Sequence, residues 1–446
     1  MLRGKDIVCI SSLDWRAMWT SKQQIMHRLA QTNRVLYVEE PVTMLAPLKV
    51  RARWRRWGAV APRLDRVDAG LWTLTPPPVL PFGNLRPGIN RANQAILARY
   101  IRWATGRLWF DEEYILWTYL PTSVALLERF GVPPARAPGD FTDGGAVGDQ
   151  GAASGVPAPG EAARAGQVAV SASGDRVSAS GRRLPSLVVY HCVDEHSAFP
   201  GFVAPEVVKS YDDELTRRAD LVITTSESLR LSRLPLNPNT HTVLNAADFE
   251  LFNRALGPEL PLPPDLASIP APRLGVVGLH DSRLDLDALE ALAQADVTWQ
   301  VVLVGPVKPG QVDEARLRRH SNIHFLGERP QVELPGYFKG LAVALVPYKA
   351  NELTRNIFPL KLFEYLAAGL PVVVGGLPEL RRFEGTIGVA AASRDYPGLV
   401  RQAIAEDTPE RRAARVALAA ENTWDRRVED ISGLVEEALE LRGVRP

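Results

Sequence analysis

The chain has 446 residues, which corresponds to about three average domains or to two large ones. Its composition is 46% hydrophobic and 23% charged, which is typical of globular proteins and excludes a disordered chain, a coiled coil and a collagen-like repeat. With 52 basic and 51 acidic residues the formal net charge is +1, so the average charge favours neither nucleic acid nor an acidic partner.

The two cysteines, Cys9 and Cys192, both lie in apolar segments. Two cysteines are too few for a disulfide framework, so we expect buried thiols and a reducing compartment. The first 15 residues lack the apolar core of a signal peptide, and no apolar run approaches the ~18 residues of a membrane span. We therefore predict a cytoplasmic protein, either free or attached to the inner face of the cell membrane.

In the first part of the chain, short apolar runs alternate with helical patterns, as they do in parallel α/β sheets. A helix is predicted over 20–31. The predicted strands of this first series are residues 6–12, 34–40, 114–120, 186–192, 220–226 and 240–244.

Residues 138–185 interrupt this series with Gly, Ala and Ser and a single aromatic residue, Phe141. Such a segment buries too little apolar area to offset the entropy of ordering it. We predict a disordered insertion within the first domain. The alternative for residues 168–173 (VAVSAS) is a short strand.

A second series of strands and helices begins at residue 273, after a proline-rich join. The predicted strands are residues 273–279, 300–305, 323–327, 343–348 and 370–376, and the predicted helices are residues 284–294, 311–319, 331–340, 360–368 and 408–442. The domain boundaries predicted from both series are an N-terminal Rossmann-like domain at 1–255, a linker at 256–272, a C-terminal Rossmann-like domain at 273–420 and a final helix at 421–446.

The segment 347–376 is the most informative. Pro359 suits the first turn of a helix that ends at Gly369. Lys361 then lies at the positive end of the helix dipole, which is unfavourable unless an anion such as a phosphate binds there. Glu364, one turn on, suits hydrogen bonds from a ribose diol. The alternative for both side chains is ordinary solvation on the helix surface.

The strand at 273–279 ends in a turn of small residues at Gly278. The turn lacks the three glycines of the dinucleotide fingerprint, so it does not predict nicotinamide binding. It does leave room for a nucleotide phosphate beside the backbone. His280 and Arg283 are the polar candidates there, with a surface loop as the alternative for each.

Acidic and histidine side chains follow the strand at 186–192, where ligands bind in open α/β sheets. Asp194 is a candidate general base, and its alternative is a helix N-cap or a turn residue. The spacing of His191, Asp194, Glu195 and His196 matches no standard zinc pattern, so we predict no metal site. The loop after the first strand supplies a second catalytic candidate, Asp14, which also suits capping of the helix that follows.

The segment 47–60 places five basic residues beside Trp54 and Trp57. This composition is typical of elements that lie on an anionic membrane surface, and we predict such contact through 49–57. The alternative is a solvated basic loop whose tryptophans pack on the protein. We predict no nucleic-acid partner.

Together these segments resemble the GT-B glycosyltransferases, and within them the family 4-like enzymes of bacterial polysaccharide synthesis. The resemblance rests on the tandem domains, the proline-rich join and the motif PLKLFEYLAAGLPVV at 359–373. Residues 187–202 are similar to an element of teichuronic-acid-type transferases. Residues 240–252 resemble the family's motif where the chain leaves the first domain, and residues 421–428 resemble its closing helix.

The resemblance implies two Rossmann-like domains that face a cleft, with the acceptor on the first domain and the nucleotide sugar on the second. Glu364 would hold the ribose and Lys361 the diphosphate. It implies a metal-independent hexosyltransferase without a cofactor, for which the nucleotide-diphosphate sugar is a substrate. The acceptor would be a polysaccharide or a lipid-linked glycan of the cell envelope, and the final helix would pack back on the first domain.

One position departs from the family pattern. Retaining members carry a Glu, seven residues and a second Glu, but the first position here is Asn356. Glu352 lies four residues earlier. We include Arg355 and Asn356 among the donor-binding candidates and leave retention or inversion open. Asp194 is the base in an inverting reaction, and positions acceptor or sugar in a retaining one.

Two other functions remain open at this point. A nucleotide-sugar epimerase on the same fold would need no acceptor. A non-catalytic relative would bind the nucleotide sugar without transferring it, and the missing first Glu is compatible with this alternative.

Overall fold

The computed structural model describes residues 1–45, 62–111, 113–134, 169–170, 176–177, 185–198 and 204–444. These residues form two large sheets with helices on both faces, and each sheet has its own buried core. We call the unit around the first sheet the first domain and the unit around the second sheet the second domain. The predicted fold class, an α/β protein with two Rossmann-like domains, is confirmed.

The first sheet has eight strands in the order β8-β7-β6-β5-β1-β2-β4-β3. They are β1 Asp6–Ile10, β2 Arg34–Val38, β3 Arg63–Asp68, β4 Leu71–Thr75, β5 Tyr114–Thr118, β6 Leu187–Cys192, β7 Leu221–Thr224 and β8 Thr240–Thr242. All neighbours pair in parallel except the hairpin β3–β4. The six predicted strands are confirmed, and β3 and β4 were not predicted.

The second sheet has six parallel strands in the order β11-β10-β9-β12-β13-β14. They are β9 Arg273–Val277, β10 Gln300–Val304, β11 Ile323–Gly327, β12 Val343–Val346, β13 Val372–Gly375 and β14 Gly388–Ala390. The five predicted strands are confirmed, and β14 extends the sheet at one edge.

Helices connect the strands and cover both sheets. They are α1 Ser21–Leu29, α2 Pro87–Arg107, α3 Val124–Arg129, α4 Pro205–Arg218, α5 Glu227–Arg233, α6 Phe249–Asn253, α7 Pro264–Ala267, α8 Leu286–Ala295, α9 Glu314–Leu317, α10 Leu334–Lys339, α11 Glu352–Arg355, α12 Lys361–Ala367, α13 Tyr396–Ala405, α14 Pro409–Ala420 and α15 Trp424–Leu441. None of these helices combines the length and the apolar composition that a membrane span requires.

The predicted helical stretch 408–442 consists of two helices, α14 and α15. They are separate because Thr423 adopts an extended conformation and its side chain accepts a hydrogen bond from Arg426 N at the start of α15. The chain thereby changes direction, and α15 packs on the first sheet. Trp424, Val428 and Ile431 share a core with residues of β1, β2 and β5.

Two predicted segments fall largely or wholly outside the described residues. The basic segment 47–60 is one of them. Of the insertion 138–185, the structure describes a pair of two-residue strands, Ala169–Val170 and Arg176–Val177, which pair antiparallel. The strands that flank the insertion, β5 and β6, are neighbours in the first sheet.

Three sets of hydrogen bonds join the two domains beside the cleft. Glu379 of the second domain is buried, and its carboxylate accepts from Glu227 N at 3.1 Å, Ser228 N at 2.8 Å and Ser228 Oγ at 2.6 Å. Ser226 Oγ donates to the carbonyl of Asn356 at 2.8 Å. The turn between β7 and α5 therefore contacts two separate segments of the second domain.

The third set lies where the chain passes between the domains. Asn245 Nδ2 donates to the carbonyl of Phe358 at 2.7 Å. The outgoing and returning crossings also bond to each other, since Ala247 N donates to Asn422 O and Trp424 N to Ala247 O. The two domains are thus joined in two places. Backbone pairing joins the two crossings of the chain, and Glu379 bonds to the turn 226–228.

We expect Glu379→Gln to weaken the contact between the domains by about 2 kcal/mol, because hydrogen bonds to a charged acceptor contribute about 1.5–3 kcal/mol. The melting temperature should fall, and small-angle scattering should show a larger radius of gyration. Glu384→Gln is the control. Glu384 is exposed and follows the 3-10 helix Pro378–Phe383 that carries Glu379, so its replacement should change neither the melting temperature nor the radius of gyration. Equal scattering curves for both variants would contradict this role of Glu379.

Candidate active site between the domains

Glycine turns form the edge of the second sheet where its strands end. Gly278 follows β9 with φ +137°, and Gly305 follows β10 with φ +140°. A Cβ atom on Gly305 would lie 1.8 Å from the carbonyl oxygen of Gly278, so the two turns come this close only because Gly305 has no side chain. They leave a flat backbone surface that a ligand can approach.

Lys361 and Glu364 lie beside this surface. The Cε atom of Lys361 is 3.5 Å from the place where a Cβ on Gly278 would be. Lys361 Nζ forms an ion pair with Glu364 at 2.5 Å and lies 5.9 Å from the ring centre of Phe252. Burial raises the pKa of Glu364, and the charge of Lys361 opposes that shift. The structure therefore brings together Gly278, Lys361 and Glu364.

Tyr365 fixes α12 to the end of β9, and sequence reasoning missed it. Its hydroxyl oxygen accepts a hydrogen bond from Val277 N at 2.9 Å, immediately before Gly278. This bond fixes α12, and with it Lys361, relative to the turn at Gly278. The sequence signal was a tyrosine inside an otherwise apolar helix face, which requires a polar partner when it is buried.

The interpretation of His280 as a surface-loop residue was wrong. The ring of His280 is buried, and its Nε2 has no hydrogen-bond partner among the described residues. Burial lowers the pKa of His280 to about 4, so the ring is neutral at physiological pH. The backbone of His280 pairs with residues 306–308, so the chain after β9 runs beside the chain after β10.

Arg283 faces the cleft in a fixed orientation. Its guanidinium donates to both oxygens of Asp281, at 2.8 Å each, and lies over the ring of Tyr348 at 5.2 Å. The positive charge of Arg283 also lowers the pKa of Asp194 in the first domain. This side chain therefore belongs to the wall of the cleft.

Arg355 and Asn356 lie on a different part of the second domain's surface. Arg355 is exposed on α11. The amide of Asn356 donates to the carbonyl of Glu352 at 3.2 Å, and its own carbonyl accepts from Ser226. Asn356 thus closes the end of α11 and contacts the first domain. Glu352 is exposed.

Asp194 follows β6 at the carboxyl edge of the first sheet and faces the second domain. Burial raises the pKa of its carboxyl group, while the charges of Lys22, His196 and Arg283 oppose this shift. The following α-helix, α4, begins at residue 205 with Ala204 as its N-cap, so the capping alternative for Asp194 is wrong.

The loop that carries Asp194 is held by its neighbour. Glu195 accepts from Arg233 Nη1 at 2.7 Å and from Ser197 Oγ at 2.7 Å, and Arg233 also pairs with the buried Asp212. Since Glu195 is used in this network, it does not join Asp194 in a metal site. Among the described residues no group of three or more His, Cys, Asp or Glu side chains has such an arrangement.

Asp14 lies in the loop after β1, half-buried, where its charge acts on Tyr37. It does not cap α1, because the N-cap of that helix is Thr20. The carbonyl of Asp14 accepts instead from Gln23 Nε2 at 3.1 Å. The predicted capping role is therefore wrong.

Residues 273–406, from β9 to the end of α13, match the family model described as "Glycosyl transferases group 1". The second domain is therefore similar to the group 1 glycosyltransferases. A curated relative, the "Putative teichuronic acid biosynthesis glycosyltransferase TuaH" of Bacillus subtilis (strain 168), is 29% identical over 197 residues, which are 43% of this chain. That alignment spans about half (49%) of the relative.

Solved structures share the fold over nearly the whole chain. Sucrose-phosphate synthase from Thermosynechococcus elongatus has a TM-score of 0.65 and 15% identity, and the match covers 98% of this chain and 100% of that one. Anabaena Alr3699/HepE in complex with UDP has a TM-score of 0.58 and 14% identity, with 97% and 100% covered. The trehalose 6-phosphate synthase from Burkholderia multivorans has a TM-score of 0.63 and 10% identity, with 99% and 100% covered. The predicted GT-B fold is confirmed.

The contact between the two glycine turns gives a sharp prediction. Gly310→Ala should cost about 1–2 kcal/mol, because Gly310 has φ +73° with open space around it. Gly305→Ala should cost about 1–3 kcal/mol more, because its Cβ collides with the Gly278 carbonyl. Urea unfolding of both variants measures the difference. Equal stability would contradict the close approach of the two turns.

Proposed function

We propose that this protein is a group 1 glycosyltransferase that transfers a hexose from a nucleotide-diphosphate sugar to a polysaccharide or lipid-linked acceptor in the synthesis of a cell-surface glycan. The observation that carries this proposal is the cluster of Gly278, Lys361 and Glu364 at the edge of the second sheet. The matched relative TuaH, named for teichuronic acid biosynthesis, supports a cell-envelope product. HepE was solved with UDP and with UDP-glucose, which favours a uridine diphosphate sugar as the donor.

The second domain would hold the donor. The bare backbone at Gly278 lets the diphosphate approach, and Lys361 Nζ turns from Glu364 to the phosphate oxygens. Glu364 is then free to accept hydrogen bonds from the ribose hydroxyls. Lys361 and the backbone N–H groups neutralise the charge that develops on the leaving diphosphate, so this scheme requires no metal ion and no cofactor.

The first domain would present the acceptor. In an inverting reaction the acceptor oxygen attacks the anomeric carbon, the bond from that carbon to the diphosphate breaks, and Asp194 takes the hydroxyl proton. In a retaining reaction Asp194 positions the acceptor or the sugar. Asp14, in the loop after β1, is the second candidate for contact with the acceptor.

Contact with an anionic membrane surface is also part of the proposal. The basic segment 49–57 lies outside the described residues, but the chain that leads into it is exposed and apolar. Met44 is 45% exposed, and its N–H donates to the carbonyl of Val79, next to the exposed side chains of Leu80 and Phe82. An apolar rim beside a basic segment with two tryptophans suits a peripheral position on the inner membrane face.

Donor binding tests the site. Replacing both Lys361 and Glu364 by Ala should abolish the thermal shift that a nucleotide sugar produces, in a panel that includes UDP-sugars and free nucleotides. Lys361→Met alone should weaken binding about 10–100-fold, the equivalent of one charge-assisted hydrogen bond. Lys308→Met, at an exposed lysine of the same domain, is the control. Unchanged affinity of the double variant would disprove the assignment.

Asp194→Asn should lower kcat about 10²–10⁴-fold with little change in the KM for the donor, if Asp194 is the base. In the wild type, kcat/KM should rise with pH through an apparent pKa above the usual aspartate range, because burial raises the pKa of Asp194 and only its ionised form accepts the proton. Asp213→Asn, on the surface of α4, is the matched control.

Product analysis separates the alternatives. Asp194 would be excluded as the base if Asp194→Asn had nearly wild-type activity and its kcat/KM still fell at acidic pH as in the wild type. Isomerisation of the donor without acceptor would identify an epimerase. Donor binding without hydrolysis or transfer to any acceptor would identify a non-catalytic relative.

A further inference from the structure

The first turn of α1 buries four consecutive polar residues at the carboxyl edge of the first sheet, Ser21, Lys22, Gln23 and Gln24. Both glutamines are used within the helix. Gln23 Oε1 accepts from Thr20 N at 3.1 Å, and Gln24 Oε1 accepts from an arginine one turn later. Lys22 is the member of this turn that helix capping does not explain.

Lys22 is 7% exposed, yet among the described residues its ammonium group donates no hydrogen bond and forms no ion pair. Taking a charge out of water costs several kcal/mol unless it is paired. The position adds to this cost, because a cation in the first turn opposes the helix dipole. Burial lowers the pKa of Lys22, while the charges of Asp194 and Glu40 oppose that shift.

The aromatic rings that lie beside Lys22 carry no negative charge. Its Nζ lies 5.5 Å from the ring centre of Tyr119, just after β5. The ring of His191 stacks on Tyr119 at 4.9 Å, and burial lowers the pKa of His191 to about 3, so this ring is neutral. Both ring nitrogens of His191 lack hydrogen-bond partners among the described residues.

The other cations of the cleft have carboxylate partners. Lys361 pairs with Glu364, and Arg283 with Asp281. Lys22 therefore differs from both, since it is buried at a helix start and has no carboxylate partner among the residues that the structure describes. Asp194 lies near enough for its charge to act on Lys22, but beyond ion-pair distance.

We propose that Lys22 and the first turn of α1 form a phosphate-binding subsite in the cleft. The phosphate oxygens accept from Lys22 Nζ and from the backbone N–H groups at the start of α1, which have no acceptor within the helix. Since Asp194 repels an anion, the phosphate lies toward the helix start, and the acceptor hydroxyl lies toward Asp194. The proposal rests on the proposed function in its choice of ligand, a phosphate carried by a substrate.

Two sources share this chemistry, a phosphate on the acceptor and the diphosphate of the donor. The acceptor is favoured, because Lys22 belongs to the first domain while Gly278 and Lys361 of the second domain serve the diphosphate. The subsite then selects an acceptor whose phosphate is close to the hydroxyl that reacts.

Inorganic phosphate is the probe for the test. It is titrated into the full chain at constant ionic strength, and binding is followed by calorimetry and by thermal shift. Lys22→Met should weaken phosphate binding at least tenfold, while Lys22→Arg should retain it within about threefold. Lys308→Met is the control and should bind phosphate as the wild type does. Lys361→Met is measured in parallel, to identify phosphate that binds at the proposed donor site instead.

The stability of the variant provides a second readout. Without ligand, Lys22→Met should raise the melting temperature, because an apolar side chain replaces an unpaired buried charge. A lysine with a merely structural role would give a lower melting temperature on replacement. Lys22→Gln, which keeps a polar end without the charge, provides the same comparison if the Met variant does not fold.

Several outcomes would overturn the subsite. They are the absence of saturable phosphate binding to the wild type, equal binding to Lys22→Met, or loss of binding in Lys361→Met instead. The titration uses no nucleotide sugar, so its failure is distinct from failure of the proposed transferase function. That function is tested by donor binding to the Lys361 and Glu364 variants.

Titration with UDP in the presence of phosphate distinguishes the two sources. If both bind together and Lys22→Met leaves the UDP affinity within about twofold, the phosphate belongs to the acceptor. If UDP displaces phosphate and the variant also loses UDP affinity, Lys22 contacts the donor diphosphate. Each of these results supports the subsite and identifies its ligand.

Discussion

The site depends on how the two domains are held across the cleft, because each domain carries only part of it. The fixing contact is the buried carboxylate of Glu379, which accepts three hydrogen bonds from Glu227 and Ser228 of the first domain. The same turn also contacts the carbonyl of Asn356, next to the segment that leads into α12. The turn after β7 therefore holds two segments of the second domain against the first.

Buried charge organises the cleft that these contacts enclose. Lys361 with Glu364 and Arg283 with Asp281 form pairs on the second domain, so their charges are compensated before a ligand arrives. In the part of the chain that the structure describes, Lys22 lacks such a partner. Under the proposed function, binding of a nucleotide sugar would exchange the pair of Lys361 and Glu364 for contacts with diphosphate and ribose.

Sequence patterns predicted the buried strands well and the exposed elements poorly. Continuous apolar runs indicate parallel strands covered on both faces, and β1, β6 and β9 are of this kind. The edge strand β3 escaped prediction because its sequence, RLDRVD, is largely polar and exposed. The direction of α15 after the break at Thr423 depends on its packing against the first sheet.

The sequence by itself determined the two α/β units, the glycine turn at Gly278 and the helix that carries Lys361 and Glu364, since these follow from local periodicity and from the special conformations of glycine and proline. Only the tertiary structure decided what lies across the cleft. It buried His280, placed Asp194 opposite Arg283, and left the buried Lys22 without a carboxylate partner among the described residues. The physical reason is that burial and charge compensation depend on residues far apart in the chain, which local patterns do not encode.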